Sequence, residues 1–261
     1  MSLKDIVRNA LTHPLARGLD LNAPEATAVH ARLIKEKGFL RLLYKSHYRD
    51  FVAAHESAPQ GLRLEIGSGG GFLGELIPSL ATMDLRPGAD VNLKASALAL
   101  PLADGKAGCL FLMNVLHHLP APEAFFSEAE RVLAPGGRLV MIEPFVSPVS
   151  RILYRGLHHE PLNPEREGWT LDGHGPMSSS DMAIPWVIFV RDRGRFESLF
   201  PGLEILRVTP HTILLYALSG GVSMRSFLPA AAFEPLRRAE ELLGGLSRHL
   251  ASMMTVEIAR R

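Results

Sequence analysis

The sequence contains almost no cysteine and almost no net charge, and each shortage excludes a class of protein. Cys109 is the only cysteine among 261 residues, so neither an internal disulfide nor a cysteine-based zinc cluster can form. The formal net charge of +1 provides no broad basic surface. This disfavours nucleic acid as the main partner and leaves only contact with RNA through a local patch.

Long apolar runs and targeting signals are also missing. No apolar stretch approaches the roughly 20 residues that cross a bilayer, and the first residues lack the apolar core of a signal peptide. We therefore expect a protein without a transmembrane segment that resides in the reducing cytoplasm. Apolar residues make up 47% of the chain and charged residues 21%, which predicts a packed globular protein of the α/β class.

The first 60 residues have the pattern of amphipathic helices. Leu40, Leu43, Tyr48 and Phe51 recur at three- and four-residue spacing, so one helix face is apolar. The opposite face is basic, and we interpret it as solvated, with binding of an anionic substrate or lipid headgroup as the alternative. Its residues are Lys35, Lys37, Arg41, Lys45 and Arg49. We predict an N-terminal helical cap over residues 1–60 and a main domain over residues 61–261.

The most informative stretch runs from Leu62 to Leu73, where an apolar, strand-like segment meets four glycines. It predicts a strand, a tight turn and the start of a helix over residues 72–80. Glycine suits such a turn because it adopts positive φ and lets a ligand approach the backbone closely. The free N–H groups of the following helix start would face that ligand. The stretch therefore predicts a nucleotide-like ligand across the turn.

The remaining chain alternates strand and helix patterns. A second strand over residues 81–85 carries Asp84, at the interval after the turn where a ribose-binding carboxylate is expected. Further strand patterns lie at residues 90–94, 109–116, 138–142, 203–208, 212–218 (separated from the preceding one by Pro210) and 254–258. Helix patterns lie at residues 122–133 (with Gly136 and Gly137 as the stop), 182–200 and 231–250.

Together these features resemble the class I S-adenosylmethionine-dependent methyltransferases. Residues 65–71, Glu-Ile-Gly-Ser-Gly-Gly-Gly, stand for the family's E/D-x-G-x-G-x-G, and Asp84 closes the second strand. Residues 97–105, 114–119 and 131–138 complete the match, which covers residues 60–145. The flanks resemble a subset of uncharacterised bacterial methyltransferase-like proteins. The resemblance implies a doubly wound, mostly parallel seven-stranded sheet of the Rossmann-like methyltransferase fold.

The resemblance also implies a set of cofactor-binding residues. Gly67, Gly69 and Gly71 would let the backbone pass along the amino-acid part of S-adenosylmethionine, Asp84 would accept hydrogen bonds from the ribose, and Glu65 would help to hold the ammonium end. The full set is Glu65, Gly67, Ser68, Gly69, Gly71, Asp84, Leu85, Ser96, Ala97 and Asn114. Many relatives carry an acid where this chain has Ser96, so its adenine contacts are predicted with less support than its ribose contacts.

A nicotinamide or flavin dinucleotide is the rival ligand. Gly69, Gly71 and Gly74 also satisfy G-x-G-x-x-G. These glycines, however, start two residues later relative to the strand than Gly67 does, and a count from Gly67 puts Phe72 where the dinucleotide pattern needs glycine. The register therefore favours S-adenosylmethionine.

Candidate catalytic residues follow two strand ends, where reacting groups gather in open α/β sheets. They are His117, His118 and Glu143. A general base is needed only if the acceptor must lose a proton early. For each of these side chains, substrate contact and a structural role are therefore the alternatives to catalysis. We predict methyl transfer to a small-molecule or lipid-like acceptor. The alternative function is a non-catalytic regulator or scaffold that binds S-adenosylmethionine or S-adenosylhomocysteine.

Residues 145–185 are rich in proline, glycine and serine, and we predict a substrate lid over residues 145–200. His158, His159, Glu160 and His174 lie in it and suggest either substrate contact or a metal. Their spacing matches no metal motif, so we predict no metal. We interpret residues 191–193 as a structural ion-pair set and residues 186–190 as core, with anion binding and a greasy substrate pocket as the respective alternatives. The acceptor, the atom methylated and the oligomeric state stay open at this point.

Overall fold

The computed structural model describes residues 10–20, 22–23, 25–86, 88, 91–157, 160–172 and 179–261. Within them, seven strands form one sheet in the order β3-β2-β1-β4-β5-β7-β6. Strand β7 is antiparallel to β5 and β6, and the other pairs are parallel. The strands are β1 Leu62–Ile66, β2 Ala81–Asp84, β3 Leu93–Lys94, β4 Ala107–Met113, β5 Leu133–Pro144, β6 Leu203–His211 and β7 Met253–Arg260. The predicted seven-stranded, mostly parallel sheet is confirmed.

Helices cover the two faces of this sheet. The α-helices are α1 Glu25–Glu36, α2 Gly38–Ser57, α3 Pro122–Val132, α4 Pro148–Leu157, α5 Ile184–Trp186, α6 Arg193–Leu199, α7 Leu215–Ser219, α8 Phe233–Leu242 and α9 Ser247–Leu250. Single 3₁₀ turns occur at Pro14–Ala16, Leu73–Glu75, Leu116–His118, Ala230–Ala232 and Gly244–Leu246, and a π-helical turn spans Val187–Arg191. Among the described helices, none combines the length and the apolarity needed to cross a membrane.

Strand β4 occupies the centre of the sheet because it is apolar on both faces. Cys109 and Phe111 belong to the core on one face, whereas Leu110 and Leu112 belong to the core on the other, as the alternation of side chains along a strand requires. Phe51 of α2 packs on Phe111 with ring centroids 5.1 Å apart, and α3 covers the opposite face. The parallel strands therefore end at one edge, where their following loops converge.

The N-terminal helices pack directly on this sheet, so the predicted helices are confirmed, and the boundary at residue 60 stays a prediction. The interpretation of the basic face as solvated is wrong for Lys37. This side chain is only 7% exposed, and its Nζ donates hydrogen bonds to the carbonyl oxygens of Gly221 and Met224. Lys37 thereby fastens the loop after α7 to the N-terminal helices, a contact that no local pattern can reveal.

The helix predicted at residues 72–80 is wrong. Only the 3₁₀ turn Leu73–Glu75 forms after the glycine turn. Gly74 has a low helix propensity, and Pro78 disfavours the helical conformation of the residue before it. The backbone of the turn itself, and not a long helix, therefore presents the N–H groups at this edge of the sheet.

The strand predicted at residues 212–218 is also wrong. Pro210 does not interrupt β6, which continues to His211; β6 is an edge strand, where a missing N–H is tolerated. Thr212 has a φ of 56°, so the chain leaves the sheet there and forms α7. The Glu240 carboxylate accepts the N–H groups of the three residues at its start, Ile213, Leu214 and Leu215.

Smaller differences concern the neighbouring elements. Helix α3 ends at Val132, so the glycine pair at residues 136–137 is not its stop. The pair lies within β5 between Leu133, the partner of Ala107, and Arg138, the partner of Cys109, where the register shifts. The third strand is confirmed only as Leu93–Lys94.

The segment after β5 consists of helix α4, a stretch without regular secondary structure among its described residues, and the helical turns from Ile184 to Arg191. Val187, Ile188 and Phe189 are buried in the main core, which bears out the core interpretation of residues 186–190 for these three. Arg191 Nε lies 2.7 Å from Asp192 Oδ1, whereas Arg193 pairs with Glu197 at 2.8 Å. The predicted ion-pair set is therefore confirmed for Arg191 and Asp192. A lid role for residues 145–200 stays a prediction, and His158, His159 and His174 lie outside the described residues.

Candidate functional site

A cavity of about 550 Å³ opens at the carboxyl ends of β1, β2, β4 and β5. Every residue of the predicted cofactor-binding set lines it, as do His117 and His118. Glu143 lies directly behind His117. The structure thus brings all the predicted site residues except Glu143 to the wall of one cavity, and Glu143 lies behind that wall.

The glycine turn needs glycine for steric reasons at three positions. Gly67 has a φ of +67°, and a Cβ there would lie 2.5 Å from Val115 Cγ2. A Cβ on Gly70 would lie 2.4 Å from the backbone nitrogen of Ala31. A Cβ on Gly71 would lie 2.7 Å from the Tyr48 hydroxyl. The turn is therefore compressed between the loop after β4 and helix α2, and its backbone lies open toward the cavity.

Asp84, at the end of β2, supports this turn from the side. Its Oδ2 accepts the N–H of Gly69 at 3.0 Å, and its Oδ1 accepts the N–H of Arg86 at 2.9 Å. The carboxylate is 8% exposed and lines the cavity. A second-strand acid thus faces the space beside the turn, with its position set by two backbone amides.

Glu65, in β1, places a second carboxyl group close to Asp84. Burial and the neighbouring Asp84 charge raise the pKa of Glu65 to about 8. Both groups would gain from a cation or from hydroxyl donors in the cavity, because either relieves the repulsion between them. Ser68 adds a buried hydroxyl that has no hydrogen-bond partner among the residues described.

The segment predicted to face an adenine ring lies on the same wall of the cavity. Ser96 Oγ accepts the N–H of Leu98 at 3.1 Å, which leaves its own proton available to an acceptor. Ala97 is buried, and Leu85 is half exposed. This wall therefore offers one small polar group between apolar surfaces.

Asn114 turns the chain at the end of β4. Its φ of +55° lies in the left-handed region, which is uncommon for residues other than glycine and often marks a functional site. The N–H groups of Val115 and Leu116 consequently both donate to Glu143 Oε1 at 2.8 Å. The strained turn and the end of β5 are thus locked together.

Glu143 also holds His117. This carboxylate is fully buried, and its Oε2 lies 2.6 Å from His117 Nδ1. Burial alone would lower the pKa of His117, but the charge and hydrogen bond of Glu143, together with Glu160, raise it to about 10. The imidazole is therefore fixed with Nδ1 toward Glu143 and Nε2 toward the cavity.

Glu160 completes this polar cluster; the sequence places it in the predicted lid, with substrate contact or a metal as its alternative roles. Its Oε2 lies 3.6 Å from His117 Nε2, and its Oε1 lies 3.3 Å from His118 Nε2. One ligand atom from each of the three residues falls within 4.8 Å of the others. The three side chains together are able to hold a metal ion. The fold alone brings Glu160 to the histidines, because more than 40 residues separate them along the chain.

The sequence also gave no indication of the aromatic wall around the cavity. Tyr44, Tyr48, Tyr154 and Tyr216 line it, and burial raises the pKa of Tyr44 to about 12. Tyr44 and Tyr48 follow the apolar stripe of α2, so their periodicity signals core packing as strongly as a binding role. Methionine and leucine side chains extend the wall, which makes much of the cavity apolar.

Comparisons with known proteins agree with this geometry. Residues 64–141 match the family model described as a methyltransferase domain. The malonyl-[acyl-carrier protein] O-methyltransferase of Hahella chejuensis is 30% identical over 105 residues, which are 33% of this chain and 37% of that protein. An uncharacterized methyltransferase of Mycobacterium sp. (strain KMS) is 33% identical over 104 residues, 34% of this chain and 41% of that protein.

The fold has a counterpart among solved structures. A methyltransferase from Archaeoglobus fulgidus described as S-adenosylmethionine-dependent superposes with a TM-score of 0.51 at 13% identity, over 85% of this chain and 94% of that one. Alignments with curated relatives span between 16% and 41% of those proteins' lengths. The family match, the glycine turn and the sheet order together identify residues 64–141 as a methyltransferase domain of the class I S-adenosylmethionine-dependent family.

Proposed function

We propose that the chain transfers a methyl group from S-adenosylmethionine to a small-molecule or lipid-like acceptor. The observation that carries this proposal is the continuity of one cavity between two differently built ends. We call Glu65, residues 67–71 and Asp84 the donor end. We call His117, His118 and Glu160, with Glu143 behind them, the acceptor end.

The donor end fits the cofactor on steric and chemical grounds. Side chains at Gly67 or Gly71 would displace Val115 or the Tyr48 hydroxyl, so the turn keeps its backbone bare where a ligand must approach closely. Two crowded carboxyl groups suit the hydroxyl and ammonium donors of an amino-acid nucleoside. The unpartnered Ser68 hydroxyl is free to bind it as well.

Each residue of the donor wall then has an assigned role. Asp84 would hold the ribose, Glu65 and the glycine backbone the amino-acid part, and Leu85, Ser96 and Ala97 the adenine. Asn114 would border the reacting centre. When bound there, S-adenosylmethionine supplies a methyl group made electrophilic by its positively charged sulfur.

The acceptor end would contribute alignment, which is the main requirement of an in-line displacement. Glu143 fixes the imidazole of His117, and His118 and Glu160 face the same space. These groups would hold a polar nucleophilic atom of the acceptor through hydrogen bonds. The apolar wall, which includes Leu153, Met182 and Phe227, would bind a hydrophobic body.

An oxygen nucleophile is the first class to test. The relative from Hahella chejuensis is named for O-methylation of a malonyl group on an acyl carrier protein. An oxygen acid or alcohol would also suit the imidazoles and carboxylate of the acceptor end, which offer both donors and acceptors of hydrogen bonds.

The test is a screen of metabolite extracts with cofactor carrying a labelled methyl group. We expect label to move to an extractable acceptor with the parent chain and not with Asp84→Asn. Stabilisation by NAD(P) alone in a thermal-shift titration would contradict the choice of cofactor. Cofactor binding without transfer to any extract would favour a non-catalytic regulator or scaffold instead.

A further inference from the structure

We propose that His117, His118 and Glu160 form a binding site for one divalent transition-metal ion, with zinc as the leading candidate. The site lies at the acceptor end and keeps at least one coordination position open to the cavity. The spacing of residues 158–160 and 174 along the chain predicted no metal. The fold changes this expectation because two ligands come from the loop after β4 and one from beyond α4.

The distances between the ligand atoms support a metal site. Two atoms that each lie about 2.0–2.1 Å from a tetrahedral zinc ion are about 3.3–3.4 Å apart. The Glu160 oxygens lie 3.3 Å from His118 Nε2 and 3.6 Å from His117 Nε2, and one ligand atom from each residue falls within 4.8 Å of the others. These two separations, one to each oxygen of the Glu160 carboxylate, lie close to those between ligands of one small ion.

The orientation of His117 supports the site independently. Metal-bound histidines usually donate their second N–H to a carboxylate or carbonyl, which fixes the ring and raises its basicity. Glu143 Oε2 accepts from His117 Nδ1 at 2.6 Å, so Nε2 is the nitrogen directed at Glu160. Glu143 is itself held by the N–H groups of Val115 and Leu116, which makes this support rigid.

The donor set selects the kind of metal. Two imidazole nitrogens and one carboxylate suit zinc and its first-row neighbours, whereas Mg²⁺ and Ca²⁺ prefer oxygen ligands alone. Three protein ligands are the number found in catalytic zinc sites, where the remaining position binds water or substrate. All three ligands line the cavity, so that position would face the acceptor.

The use of the ion in catalysis rests on the proposed function. An acceptor hydroxyl bound at the open position would lose its proton more readily, because the ion stabilises the resulting oxyanion. That oxyanion would then form the new bond to the methyl carbon, and the carbon–sulfur bond would break with its electron pair passing to sulfur. The released proton would leave to solvent, so the step needs no further reactant.

The test uses the full chain, freed of any affinity tag and of metal, and loaded with ZnCl₂ or CoCl₂. We expect about one equivalent of Zn²⁺ by elemental analysis after dialysis, and visible absorption from Co²⁺ in a low-symmetry site. Glu160→Gln and His118→Ala should each weaken Zn²⁺ binding by about 100-fold. Glu143→Gln should weaken it by about 10- to 100-fold, the usual effect of a group that supports a ligand.

The matched control is His249→Ala, which removes an exposed imidazole far along the chain from the site. Its Zn²⁺ content should equal that of the parent chain. Circular dichroism identifies any variant that fails to fold, and the Co²⁺ spectrum of the parent needs no variant at all. Sub-stoichiometric Zn²⁺ in the parent, or equal content in the parent and the Glu160→Gln and His118→Ala variants, would overturn the proposal.

Binding of S-adenosylhomocysteine to the metal-free chain separates this inference from the proposed function. Undiminished binding together with absent Zn²⁺ would reject the metal site and leave methyl transfer in place. Stoichiometric Zn²⁺ in a chain that does not bind S-adenosylhomocysteine would support the metal site and reject the proposed function.

Discussion

The two ends of the cavity are built in opposite ways. The donor end comes from one short stretch of chain, in which a strand, a turn and a second strand place Glu65, Gly67 and Asp84 side by side. The acceptor end joins three distant segments through Glu143, His117 and Glu160. Local geometry therefore builds the donor end, whereas tertiary packing builds the acceptor end.

The largest effect should come from filling the donor turn. Gly67→Ala puts a Cβ 2.5 Å from Val115 at a φ of +67°, so we expect loss of detectable S-adenosylhomocysteine binding and a destabilisation of about 2–3 kcal/mol. Gly105 has the same φ of +67° with nothing within 4 Å. Gly105→Ala should therefore show only the conformational cost, about 1–2 kcal/mol, and keep full binding.

The cause of the clash can be tested directly. Val115→Ala should partly restore the stability and binding of Gly67→Ala, because it removes the two methyl groups nearest the new Cβ. Denaturant unfolding and calorimetry of the four chains measure this coupling. Equal losses in Gly67→Ala and Gly105→Ala would mean that the bare turn is unimportant for binding.

The next effect concerns charge at the donor end. Asp84→Asn should weaken S-adenosylhomocysteine binding by about 10- to 100-fold, because hydrogen bonds to a charged group contribute about 1.5–3 kcal/mol. Thermal-shift titration detects the change as a smaller ligand-induced rise in melting temperature. Asp104→Asn is the matched control, since Asp104 is an exposed aspartate paired with Arg131. It should behave as the parent does.

At the acceptor end, Glu143→Gln should lower methyl transfer and leave cofactor binding nearly unchanged. The amide oxygen of glutamine still accepts the N–H groups of Val115 and Leu116, whereas the charge that fixes His117 is lost. We therefore expect label transfer to fall by about 10- to 100-fold. Cofactor affinity should stay within about twofold of the parent, because the donor end keeps all its groups. A matching fall in cofactor affinity would show that the two ends are not separate.

The smallest effect should come from two neighbouring histidines outside both ends, the buried His47 and the half-buried His211. Burial lowers the pKa of His211 to about 4, and burial together with His211 lowers that of His47 well below 6.5. The folded state thus disfavours protonation, while the unfolded chain binds protons below about pH 6.5. Stability should therefore be full above about pH 6.5 and fall as the pH drops toward 4, with His211 contributing about 1 kcal/mol or more of the loss.

Melting temperatures at about pH 7 and pH 4.5 measure this acid sensitivity. The His211→Gln variant should lose less stability between the two values than the parent does, because one group that titrates only in the unfolded chain is gone. Thr212 and Thr255 hydrogen-bond to this ring, and glutamine retains hydrogen-bonding capacity for them. If the parent and the His211→Gln variant lost the same stability between the two pH values, the acid sensitivity would come from other groups.

Sequence alone was sufficient for elements with a strong local pattern. The continuous apolar run of β4 predicts a central buried strand, and the register of Gly67 relative to β1 predicts the cofactor class. The interval between the glycine turn and Asp84 predicts that Asp84 is the acid at the end of the second strand. For the glycine turn and Asp84, the residues that interact are close along the chain. For β4, both faces of the strand are apolar, so only a central position in the sheet buries both.

Sequence alone was insufficient where distant contacts decide. Lys37 belongs to a basic stripe and is nevertheless buried, because two carbonyl groups almost 190 residues away accept its protons. Residues 212–218 have strand-like composition, yet Thr212 turns them away from the sheet and Glu240 starts a helix there. Glu160 similarly joins His118 only through the fold.

Calorimetric titration of S-adenosylhomocysteine into the parent, Asp84→Asn and Glu143→Gln chains tests the separation of the two ends most directly. We predict at least about a 10-fold loss of affinity for Asp84→Asn and an affinity within about twofold of the parent for Glu143→Gln. Parent-like affinity of Asp84→Asn would remove the second-strand acid from the donor end. An equal loss in both variants would contradict the division of the cavity itself.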